Sequence, residues 1–179
     1  CARSGHAPFP ADCTMQIHLI AVGTRMPAWV TSGYGEYARR LPHECSLQLV
    51  EVPVSKRRKS LPAARAMQEE GQLMLAAIPA GCLVIALDVT GRTWSTEVLA
   101  ERLQQWMAGG RDVALLVGGP DGLADDCLAR ADMRWSLSAL TLPHPLVRIA
   151  GSSSVSDTLA LHDRPQPLLF DAARLSVER

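Results

Sequence analysis

Residues 135–148 read Trp-Ser-Leu-Ser-Ala-Leu-Thr-Leu-Pro-His-Pro-Leu-Val-Arg. The run starts as a short strand and stops in a loop that Pro143 and Pro145 stiffen around His144, because proline fixes its own φ and restricts the residue before it. A histidine in so rigid a frame is aimed. A second run, Leu-Leu-Val-Gly-Gly-Pro-Asp-Gly-Leu over residues 115–123, is a buried strand ending in a glycine turn. Glycines there let a ligand reach main-chain N–H and C=O groups with no side chain in the way. Two such loops predict one ligand site at the carboxyl end of a parallel sheet.

Working outward, strands and helices alternate. Residues 17–22 form an apolar strand ending at Gly23, and residues 29–40 carry Trp29, Val30, Tyr34 and Tyr37 at helical spacing before Pro42. A second strand covers residues 47–52. Pro62 opens a helix over residues 63–77, with Met67, Leu73, Met74 and Ala77 on its inner face. Residues 82–87 are almost wholly apolar, as a strand covered on both faces requires. Ser95 caps a helix running to Met107, and Gly109 and Gly110 end it. Strand 113–117, a helix from Asp125 and a last strand over residues 134–138 complete an α/β layered domain with a mostly parallel sheet. Connectivity rules alone draw that sheet open and unknotted.

The 179 residues are enough for one domain with a real core. Eighteen basic and eighteen acidic residues cancel, so any nucleic-acid affinity has to come from a local patch. Lys56, Arg57, Arg58 and Lys59 are the candidate, although such a run is usually a solvated loop. Five scattered cysteines without a C-x-x-C, and without a histidine at metal spacing, read as reduced thiols in the cytoplasm and predict no metal. No apolar run is long enough to span a bilayer, which predicts no membrane association. Residues 1–14 lack the apolar core of a signal peptide and carry Pro8 and Pro10; they are expected to be an upstream-translated or cloning-derived extension.

Each site residue also has an ordinary reading. Gly118 can belong to a turn that only connects a strand to a helix. Leu137, Leu140 and Leu142 can be core, His144 can bond a backbone carbonyl, and Arg148 can be a solvated helix residue or grip a phosphate or carboxylate. A Cys127–His144 nucleophile requires an adjacency the sequence does not demand, and a buried thiol is the default for Cys127. There is no G-x-S-x-G, Walker loop or G-x-G-x-x-G.

From Met15 to Arg148 the chain resembles the large-subunit ribosomal RNA methyltransferase H family of SPOUT-class enzymes. The likeness lies in residues 16–29, Gly35-Glu36-Tyr37, Leu87-Asp88 with Gly91 and Trp94, residues 110–113, the Gly-Gly-Pro-Asp-Gly turn and the run through Arg148. It implies a C-terminal trefoil knot, a homodimer, and methylation of a pseudouridine at ring nitrogen three in 23S ribosomal RNA of the assembled ribosome, with S-adenosyl-L-methionine as cofactor. Carried over residue by residue, it makes Leu87, Gly118, Leu137, Ser138, Ala139, Leu140, Thr141 and Leu142 the cofactor contacts. It also makes His144 and Arg148 the catalytic pair, and gives the basic run 56–59 RNA phosphates to meet. After Arg148 the family's Glu-Gln-x-Tyr-Arg-Ala and terminal His-Pro-Tyr-His-Arg patterns are missing. Residues 149–179 are therefore expected to be a divergent tail, as abrupt as a frame shift, in which the serines at 152–154 and Pro165 and Pro167 disfavour one continuous helix. The alternative function is a non-catalytic cofactor- or RNA-binding relic, and a third reading is an unrelated small-ligand α/β protein.

Overall fold

The apolar run at Met15–Val22 forms β1, and its neighbours assemble around it in the order β2-β1-β4-β3-β5, with every pair parallel. Here β2 is Cys45–Val52, β3 is Leu83–Thr93, β4 is Val113–Val117 and β5 is Met133–Ser136. The structure is a computed structural model that describes residues 14–55 and 62–162, without the side chains of 161 and 162. The basic run 56–59, Pro165 and Pro167 lie outside the described residues. Helices α1 (Ala28–Ala38), α2 (Ala63–Ala76), α3 (Thr96–Ala108), α4 (Asp125–Arg130) and α5 (His144–His162) connect and follow the strands. Parallel neighbours need crossovers, and the helices supply them.

Two cores sandwich the sheet. Ile17, Leu19, Ile85, Leu115 and Trp135 pack on one face with Leu99 and Leu103 of α3 and Val155 and Leu159 of α5. Ile20, Val84, Ala86, Ala114 and Leu116 pack on the other with Met74 of α2 and Cys127 of α4. Alternate residues of one strand thus serve opposite layers, which explains the unbroken apolar run of β4. Helix starts follow local chemistry: the Ser95 hydroxyl accepts the Val98 N–H and caps α3, while Pro62 immediately precedes α2.

Three expectations need correction. Leu73 is 47% exposed, because the buried stripe of α2 is Ala66, Glu70, Gly71 and Met74, a helical phase that turns Leu73 to solvent. His144 does not sit in a loop: it opens α5, with Pro145 in the first turn, where the missing N–H costs nothing. The serine stretch does not break that helix, which runs unbroken to His162. Its small side chains let α5 lie close, with Ser152 and Ser156 each 1% exposed. The Ser152 hydroxyl is satisfied by donating to the Ile149 carbonyl at 2.8 Å.

Candidate active site

β3 does not end where its apolar run ends. Leu87 and Arg92 both lie opposite Trp135 of β5, so residues 88–91 bulge out of the ladder at the carboxyl end of the sheet. Gly91 allows this, since a Cβ there would stand 2.7 Å from the Trp135 nitrogen. Asp88 shapes the bulge by accepting the Thr90 N–H at 2.8 Å, an Asx turn. Beneath it, Trp135 stacks on Trp94 with centroids 4.9 Å apart and planes 10° apart, and the Arg102 guanidinium covers the far face of Trp94 at 4.5 Å. That column fixes the floor of what lies above.

Above it is a cleft of about 300 Å³ lined by the bulge, the end of β5 and the loop that follows. Of the residues that the family likeness makes cofactor contacts, Leu87, Leu137, Ser138, Leu140 and Leu142 line it, whereas Gly118, Ala139 and Thr141 do not. Asp88, Val89, Trp135, Ser136 and Val147 line it as well. Of these, Asp88 lies within the family likeness and Trp135, Ser136 and Val147 within the run 135–148, whereas Val89 carried no signal in the sequence. Leu140 and Val89 stand at the rim, 74% and 62% exposed, which is unusual for large apolar side chains unless something covers them. A larger cleft of about 610 Å³, bordered by Ser95, Thr96, Ser153 and Asp157, shares Trp135 and Leu137 with the first.

Gly118 has a local reason to be glycine. A Cβ there would run into the Gly122 carbonyl, so the residue closes its own turn, in which the Gly122 N–H donates to the Gly119 carbonyl at 3.1 Å. Gly119 meets Glu70 of α2, whose other carboxylate oxygen accepts the Ser55 N–H at 3.0 Å. A buried carboxylate thus ties the turn to the chain entering the basic run.

Arg148 is buried, not solvated, and the carboxylate it grips belongs to the protein. Its Nη1 donates to Glu51 Oε1 at 2.8 Å, and Nη2 donates to the Val22 and Gly23 carbonyls at 2.9 and 2.6 Å. Its Nε has no partner among the described residues. The side chain therefore pins the first turns of α5 to the carboxyl ends of β1 and β2. One turn earlier, His144 is half-buried and makes no hydrogen bond among the described residues. Burial, and then the Arg148 charge, lower its pKa below the usual histidine value. Near neutral pH the ring is uncharged and free to accept a proton.

Thiol chemistry is not available here. Burial pushes the Cys127 thiol up to about 11, and its sulfur donates to the Gly71 carbonyl at 3.5 Å in the α2–α4 layer, on the opposite face from α5.

A parallel α/β sandwich with a cleft at the ends of β3 and β5, beside a helix anchored back on β1, is in keeping with a methyltransferase of the SPOUT class. The chain belongs to that family: the model described as predicted SPOUT methyltransferase matches residues 15–150. It is 63% identical over 135 residues to the ribosomal RNA large subunit methyltransferase H of Thioalkalivibrio sulfidiphilus (strain HL-EbGR7), a match that covers 75% of this chain and 86% of that relative.

Proposed function

We propose that this protein transfers the methyl group of S-adenosyl-L-methionine to ring nitrogen three of a pseudouridine in 23S ribosomal RNA of the assembled ribosome. The observation that carries the proposal is the relative named for large-subunit ribosomal RNA methylation, joined to an apolar cleft at the strand ends. The cleft suits the cofactor. Its leucines offer apolar walls to an adenosyl group, its strand-end backbone offers amides and carbonyls, and Asp88 places one carboxylate where a hydroxyl or a cation would be held. Leu87, Leu137, Leu140 and Leu142 would hold the group, while Gly118 would act by fixing the neighbouring turn.

The bound sulfonium supplies an already activated methyl, so the protein has to align acceptor and donor and manage one proton. Methylation of the acceptor nitrogen would require it to give up its proton to a group on the protein or to water. His144 is the candidate acceptor, because its uncharged ring sits at the start of α5, within three residues of Leu142 and Val147 on the cleft wall. Arg148 holds that turn in place. Lys56, Arg57, Arg58 and Lys59 meet RNA phosphates, adding salt-dependent affinity to an otherwise neutral chain.

The same reading includes the knotted threading of α5 and a homodimer that covers the exposed rim at Val89 and Leu140. It also includes a cytoplasmic location, in keeping with the absence, among the described residues, of a helix long and apolar enough to cross a membrane. The domain continues beyond Arg148 through α5. The relic alternative loses its motive up to residue 162, where α5 packs with Val155 and Leu159 buried. The test is mass spectrometry of 23S RNA from cells lacking their own enzyme. Expression of this chain should restore one methylpseudouridine, and an RNA mass that stays unchanged with folded protein present contradicts the proposal.

A further inference from the structure

The sheet brings together three polar side chains that the sequence keeps far apart. His18 lies within β1, Cys82 immediately precedes β3 and Asp112 immediately precedes β4. Register explains their meeting. Leu83 lies opposite Val113, so Cys82 and Asp112 are level, and His18 lies opposite Ala114, two residues further on and on the same face. Ala114 is small, which leaves room between its neighbours. One ring nitrogen of His18, the Cys82 sulfur and one Asp112 oxygen all lie within 4.8 Å of one another.

The His18 imidazole lacks the partner that a buried polar ring ordinarily has. His18 is 6% exposed and Cys82 1% exposed, and the His18 ring makes no hydrogen bond among the described residues. A buried imidazole without a partner is costly. One Asp112 oxygen accepts the Gln16 N–H at 2.8 Å, which orients the carboxylate and leaves its second oxygen available. The Arg111 guanidinium is engaged by backbone, donating to the Gly81 carbonyl at 3.1 Å and the Cys82 carbonyl at 3.5 Å, and makes no bond to the Asp112 carboxylate among the described residues.

We propose that His18, Cys82 and Asp112 form a binding site for a zinc-class divalent cation at the amino-terminal side of the sheet. A nitrogen, a sulfur and a carboxylate oxygen are the donor set such an ion takes, and water completes a tetrahedron on the side where Asp112 is partly exposed. Bonds of about 2.0–2.3 Å put tetrahedral donors roughly 3.3–3.8 Å apart. Rotation of the Cys82 and Asp112 side chains, both at strand entrances, closes the remaining distance of about 1 Å. On binding, the Cys82 thiol gives its proton to solvent and the thiolate bonds the metal. The ion pins β1, β3 and β4 together at the end of the sheet away from the cofactor cleft. Its role is structural, and methyl transfer does not pass through it.

The test uses the full chain, dialysed against a chelator, and then cobalt(II) or zinc(II) alone. Expected results are one ion bound per chain, a near-ultraviolet thiolate-to-cobalt absorption, and a Tm rise of roughly 5–10 °C at a hundredfold excess of zinc over its Kd. Cys82→Ser should abolish that absorption, and His18→Gln should weaken binding at least tenfold. Asp112→Asn keeps an oxygen for the Gln16 N–H, so it should stay folded while also losing affinity. Absence of the absorption in the unmodified chain overturns the proposal. So does binding that all three variants retain, which would place the metal on other groups such as Cys1, His6 or Cys13.

Discussion

Replacing Arg148 with leucine tests whether α5 is held to the sheet by one side chain. The guanidinium is 1% exposed and donates to Glu51, Val22 and Gly23 within 2.9 Å. Charged donors lose about 1.5–3 kcal/mol per bond when a partner is stranded, yet three bonds from one group do not add. Glu51 is 35% exposed and recovers water, whereas the carbonyls at the end of β1 recover less. Breaking a buried pair from one side costs about 3–5 kcal/mol, and we expect about 3–4 here. For a chain of this size that lowers Tm by roughly 6–16 °C. Urea denaturation with an unchanged m-value measures it. Glu51→Gln keeps an acceptor for Nη1 at a partly solvated position, so it should cost about 1 kcal/mol or less. Lysine at position 148 should not rescue, because one ammonium does not reproduce the fork. A loss under about 1 kcal/mol for Arg148→Leu refutes the anchoring role.

His144→Ala should lower turnover about a hundredfold or more while cofactor affinity changes little, and a normal single-turnover rate removes the proton-acceptor role. Because the folded His144 pKa is lowered, its acceptor limb should rise and level off at a pH below the ordinary histidine value, about 6.5. The same shift means that the unfolded chain takes up this proton more readily. His144 therefore contributes stability above about pH 6.5 that is lost as pH falls through the folded pKa, and the alanine variant should flatten that slope. Gly118→Ala should destabilise by about 1–3 kcal/mol, since its Cβ meets the Gly122 carbonyl; an unchanged Tm contradicts the turn-closing role. Leu137→Asp should weaken S-adenosyl-L-methionine binding at least tenfold, about 1.4 kcal/mol, by placing a carboxylate in the apolar wall, and calorimetry on folded protein checks it.

Much of the scaffold was legible because its signals are local. The apolar runs of β1 and β4, the Ser95 cap and the Pro62 start each announce themselves within a few residues. The loop 137–142 was legible only through family likeness, because leucines on a cleft wall look like leucines in a core. What stayed hidden depends on register or packing. The bulge at residues 88–91 was not legible because it is set by Trp135 on another strand. Helix α5 contradicted propensity because its small side chains allow close approach and the buried Ser152 hydroxyl is satisfied against the helix's own Ile149 carbonyl. Arg148 stayed open between a solvated helix residue and a grip on a phosphate or carboxylate because its partner Glu51 is 97 residues away. His18, Cys82 and Asp112 carry no recognisable spacing at all, since only the order of the strands makes them neighbours.

The most direct test of the central claim is single-turnover transfer of a labelled methyl group from S-adenosyl-L-methionine to ribosomes that lack the pseudouridine methyl mark. The account predicts close to one methyl per ribosome, located in 23S RNA at a pseudouridine, with little transfer when His144 is alanine. Folded, cofactor-binding protein that leaves those ribosomes unlabelled contradicts it.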